Sequence, residues 1–113
     1  MYRKLNKESR IRRSILAGIT KEVLTNGHVI TTDARAKECR KFVDKMITYG
    51  KKNDLVSRRK ALAFLHNDKK VVDKLFNELN KKYETRNGGY TRIIKLKNRI
   101  GDDALMVRLE LVE

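Results

Sequence analysis

The segment Arg86-Asn87-Gly88-Gly89-Tyr90-Thr91-Arg92-Ile93-Ile94 gathers residue types that a phosphate backbone needs. Two glycines break a helix end and free the backbone for close approach, two arginines bring charge, and Tyr90 offers one ring. That ring either stacks on a base or ribose or packs at the edge of the core. From Thr85 to Gly101 five residues are basic and none is acidic. A second cluster holds Arg3, Lys4, Lys7, Arg10, Arg12 and Arg13, with Glu8 as its only acid, and a third is Arg58-Arg59-Lys60. One such cluster would pass as solvated surface. Three in one small domain point to a polyanion, where phosphate contacts dominate affinity and fix position. Thr31-Thr32-Asp33 adds hydroxyls at a strand-to-helix junction. The free amides of the following helix suit an anion there, with Arg35 one turn in, and capping is part of the role.

Other chemistry finds little support. His28 and His66 have no Cys or His neighbour at metal-ligand spacing. Asp102-Asp103 follows Gly101 and reads as a solvated turn. Gly88-Gly89 lacks the lysine and spacing of a phosphate-binding P-loop. No enzyme, metal, cofactor or small-molecule substrate is therefore expected. The single cysteine, Cys39, excludes an intramolecular disulfide framework. It falls at helical spacing among Ala36, Val43 and Met46, as a small core residue would. The apolar run from Ile15 to Ile19 is too short for a signal segment or a membrane span, so a cytosolic protein is expected.

These residues must be positioned by 113 residues carrying 28 Lys+Arg against 14 Asp+Glu, a net charge of +14. The expectation is a basic arm over residues 1–8 and a single compact α+β domain over 9–113. About four helices would pack on a small three-stranded mixed sheet. Ser9 would cap a first helix running to about residue 26, burying Ile11, Ile15, Ile19 and Val23 and exposing Arg10, Ala17 and Lys21. Arg12 falls in the apolar stripe, so it reaches past the core edge or the helix starts after it. His28 to Thr32 reads as a strand. Thr32 or Asp33 caps a second helix, ended by Gly50, with Lys37, Lys41 and Lys45 in one outward row. A third helix opens at Asn53 or Asp54 with Leu55, Leu62 and Leu65. A fourth covers about 68–83, with nearly balanced charge and the least affinity for a polyanion. Residues 90–98 and 105–111 form a strand pair around a Gly101-Asp102-Asp103 turn. Arg92, at a strand start, should matter for binding and little for the core.

The order of motifs resembles the bacterial large-subunit ribosomal protein seventeen family. The resemblance rests on Arg3-Lys4-Leu5-Asn6, Ser9-Arg10-Ile11-Arg12, Thr31-Thr32-x-x-Arg35-Ala36-Lys37-Glu38, Val43 to Thr48 and Arg58-Arg59. It continues through Lys74-Leu75-Phe76-Asn77-Glu78-Leu79, Arg86-x-Gly88-Gly89-Tyr90-Thr91-Arg92-Ile93 and Glu110-Leu111-Val112. The resemblance implies a structural role in the large ribosomal subunit, with direct contact to large-subunit ribosomal RNA. It implies a neighbouring small ribosomal protein, the one numbered thirty-two, as protein partner. The RNA residues it implies are the basic arm, Ser9, Arg12, Thr31, Thr32, Arg35, Lys37, Arg58, Arg59 and residues 86–92. The residue-level reading adds Arg10, Arg13 and Lys60. This chain departs from the family in having Ile11 where histidine is common. The rival reading is a small DNA-binding or nucleoid protein, which a strand between the first two helices disfavours.

Overall fold

The computed structural model describes residues 6–112, with side chains from Arg10 onward. Helix α1 spans Asn6–Asn26. It starts ahead of the expected Ser9 cap, so Ser9 lies inside the helix and the expected arm boundary falls within it. Gly27, at φ 88°, ends α1, and its amide bonds back to the Val23 carbonyl at 2.8 Å. The buried face of α1 is Leu16, Ala17, Thr20, Val23 and Leu24. Ile11 and Ile15, expected inside, are exposed, and Ala17, expected outside, is buried. The reason is helical pitch. A strict four-residue spacing drifts by about 40° per step at 3.6 residues per turn, so a stripe centred on Val23 has left the core by Ile11.

Strand β1, His28–Thr32, turns Val29 and Thr31 inward. Helix α2, Asp33–Lys52, is capped by Thr32, whose side chain accepts the Arg35 amide. It buries Ala36, Cys39, Val43, Met46 and Ile47 as expected. Gly50 does not end it. Gly50 sits buried within α2, where a Cβ would stand 2.8 Å from the Leu75 carbonyl oxygen. The stop comes at Asn53, in the left-handed region at φ 52°. Helix α3, Leu55–Phe64, is capped by Asp54, which accepts the Ser57 amide at 2.7 Å. Leu55, expected to pack inward, is exposed.

Helix α4 covers residues 69–82 in three stretches: α-helical Lys69–Lys74, π-helical Leu75–Leu79 and a final turn Asn80–Lys82. The π stretch begins at Leu75, the residue whose carbonyl meets Gly50. Strands β2, Thr91–Asn98, and β3, Leu105–Leu111, complete a sheet of order β1-β3-β2. Both pairings are antiparallel, so the sheet is not mixed as expected. The β2–β3 hairpin imposes one pairing, and β1 enters against β3 with Thr31 opposite Val107. Val29, Val107 and Leu109 join Met46, Ile47, Leu75 and Tyr83 in one core around α2.

Candidate nucleic-acid interface

Helix α2 organises the surface. At about 100° per residue, Lys37, Lys41, Lys45 and Lys52 project from the side opposite its buried face, and all four are exposed. On one flank Glu38 is ion-paired with Arg12 of α1, whose Nε donates to Oε2 at 3.2 Å. Further along that flank the Phe42 ring stacks on Phe64 of α3, with centroids 4.9 Å apart. On the other flank Arg40 donates to the Thr91 carbonyl at 3.3 Å. Lys51 donates to the Arg86 carbonyl and, at 3.0 Å, to the Tyr90 hydroxyl. A lysine ridge thus runs between α1 and α3 on one side and the glycine turn on the other. Lys41, Lys45, Arg40 and Lys51 were not among the expected site residues. The four-residue spacing of the lysines carried the signal for the first two; the other two become apparent only when β2 is seen beside α2.

The glycine turn is open. Gly88 and Gly89 lie in the left-handed region at φ 88° and 62°, and a Cβ on either would meet no atom within 4 Å. Arg86 Nη1 reaches the Gly89 carbonyl at 3.3 Å, and Asn87 is exposed beside it. Tyr90 is different. Its ring is buried against Tyr83, centroids 5.3 Å apart. Stacking on a base is therefore closed to it, and the core-edge alternative holds. Thr31 is likewise turned into the core, while Thr32 and Arg35, of the expected residues there, stand at the junction surface.

Arg10 and Arg13 are exposed on α1, and Arg59 and Lys60 on α3. Arg58 is spent differently: it pairs with Asp73 of α4, its guanidinium carbon 5.3 Å above the Phe76 ring. Lys37 pairs with Asp33 one turn back at 3.1 Å, yet stays largely exposed. Arg3 and Lys4 lie outside the described residues, as do the side chains of Lys7 and Ser9.

Arg92 departs most from expectation. It points away from α2, to the outer face of the sheet, where its Nε donates to Glu110 at 2.6 Å. Arg108 approaches the other Glu110 oxygen at 2.8 Å. Glu110 is nearly buried. The Arg92 hydrogen bond, opposed by desolvation and helped by Arg108, holds its carboxyl below the usual range. Arg92 is therefore a structural partner of the sheet as well as a cation, and it does not share the face of the lysine ridge.

Among the described residues no group of three or more His, Cys, Asp or Glu side chains could hold a metal ion. The Asp102 carboxylate is engaged by Arg99 at 2.9 and 2.6 Å, as a turn clamp. The family model of ribosomal protein L17 matches residues 15–112. A large ribosomal subunit protein bL17 of Ligilactobacillus salivarius is 49% identical, over 99% of this chain and 98% of the relative. That of Fusobacterium nucleatum subsp. nucleatum is 52% identical, over 98% and 95%. That of Thermoanaerobacter sp. is 51% identical, over 98% of each.

Proposed function

The chain belongs to the ribosomal protein L17 family, and on that premise we propose that it is a structural constituent of the large ribosomal subunit that binds large-subunit ribosomal RNA through the α2 lysine ridge and its flanks. The observation that carries this reading is the exposed Lys37, Lys41 and Lys45 row, bordered by Arg12 and by the open Gly88-Gly89 turn. Lysines supply phosphate neutralisation. The glycines, with free space around both Cα atoms, admit a phosphate or ribose to the backbone itself. Arg10, Arg13, Arg35, Arg59 and Lys60 extend the charge along α1, the β1–α2 junction and α3. The small ribosomal protein numbered thirty-two is the protein neighbour the family suggests.

The DNA-binding alternative considers a helix-turn-helix built from the first two helices, which needs a short turn between them. β1 lies between α1 and α2, so these helices do not form a helix-turn-helix unit. Co-sedimentation separates the readings. The chain should sediment with large subunits through a moderate-salt wash, and a Lys37→Ala, Lys41→Ala, Lys45→Ala variant should wash off at lower salt. Retention of the variant at every salt tested would move the interface elsewhere.

A further inference from the structure

Two isoleucines of α1 have no place in the core. Ile11 is 55% exposed and Ile15 39%, among the cations Arg10, Arg12 and Arg13. With Leu16, and with Ala34 from the first turn of α2, they floor a groove of about 440 Å³ between the two helices. Arg12, Arg35 and Glu38 form its rim. Exposed apolar surface adds nothing to phosphate binding, and a groove of it within a cationic face marks a contact of another kind.

We infer that this groove receives one nucleobase unstacked from the RNA, an inference that rests on the RNA-binding reading above. A base has apolar faces and a polar edge, and RNA recognition commonly splays single bases out of the helix. The isoleucines and Ala34 supply surface for the faces. At the rim, Arg12 and Glu38 are already fixed to each other by the ion pair, and together they present N–H donors and a carboxylate acceptor to the edge. The surrounding arginines select a ligand that carries its own phosphates, which an apolar protein side chain does not.

The test compares two RNA hairpins, one fully paired and one with a single bulged adenosine, across a salt series. The wild-type protein should bind the bulged hairpin about tenfold more tightly, a modest figure for one accommodated base. Ala34→Leu fills the groove from an exposed position, and Ile15→Ser removes part of its floor. Both should abolish the preference while leaving the salt slope unchanged. Lys41→Ala should weaken both hairpins alike and flatten the slope. Equal wild-type binding of the two hairpins would overturn the inference, as would a preference that survives both groove variants. A preference gained only after removal of residues 1–5 would assign the groove to the chain's own first residues and overturn it. Groove variants that keep the preference but fail to enter large subunits would assign it to a protein and overturn it too. Failure of both hairpins to show salt-dependent binding would instead remove the RNA reading beneath it.

Discussion

Glu110 and Cys39 show how single side chains divide between structure and binding. Glu110 is nearly buried and held by two arginines, so Arg92→Ala leaves it with one. Arg92 is itself more than half exposed, and water screens the pair. The expected loss is about 1–2 kcal/mol in chemical denaturation. That loss should shrink in acid: the folded carboxyl titrates below its unfolded value, so the stabilisation is present above the unfolded pKa and fades as pH falls through the folded one. Cys39 runs the other way. Burial pushes its thiol from 9.0 up to about 11, so the unfolded chain sheds the proton first. Its contribution to stability is complete below 9.0 and declines as pH rises toward 11. Cys39→Ala should therefore show a shallower alkaline decline than wild type, and the native thiol should react with thiol reagents only as fast as the protein opens. Which residues were legible follows from their chemistry. Lysine rows and the cysteine read correctly because their preferred environments are one-sided. Tyr90 and Thr31 did not settle from sequence, because a phenol or a hydroxyl is at home on either side of a surface.

Helix α2, the strands and the caps at Thr32 and Asp54 were legible as elements, since apolar period and capping residues agreed there. Two features were not. The isoleucines of α1 imitate a core stripe but drift off it, and only the packed partner reveals which face is buried. Gly50 looked like a helix stop because glycine commonly is one. Its actual role is contact: α4 crosses so closely that its π-helical stretch begins where the Leu75 carbonyl faces Gly50. Gly50→Ala should gain about 1 kcal/mol of helix propensity and lose more to the 2.8 Å clash with backbone. The expected outcome is net destabilisation by thermal or chemical denaturation; a stabilised variant would contradict the close crossing. At the glycine turn the space is open and only the backbone conformation constrains. Gly89→Val should cost the free protein about 1–2 kcal/mol through the left-handed strain alone. If RNA meets that backbone, incorporation into large subunits should fall by more than this loss explains, as a stability-matched Gly50→Ala control would show.

At the scale of the molecule, some cations are held by acids and others stay exposed. On the outer sheet face Arg92 and Arg108 are held by Glu110, in the β2–β3 turn Arg99 is held by Asp102, and Arg58 of α3 is drawn to Asp73 of α4. The α2 ridge keeps lysines exposed in a row, with α1 and α3 bringing Arg10, Arg13, Arg59 and Lys60. The excess of +14 was legible from composition, and so was the polyanion class. The outward lysine row of α2 was legible too; the places of Arg40 and Lys51 beside it were not, because they depend on which flank of the helix each neighbour covers. Arg92 seemed in sequence to belong with Arg86, yet strand alternation sends it to the opposite face of the sheet. The claim that this ridge meets RNA is tested most directly by the salt dependence of binding to protein-free large-subunit ribosomal RNA. Each phosphate neutralised contributes roughly −0.7 to −0.9 to the slope of log affinity against log salt. Wild type should show a steep negative slope, and the Lys37→Ala, Lys41→Ala, Lys45→Ala variant a slope shallower by about 2–3, with an unchanged fold by circular dichroism. A wild-type affinity that stays flat with salt, or a variant slope equal to wild type, would contradict the account.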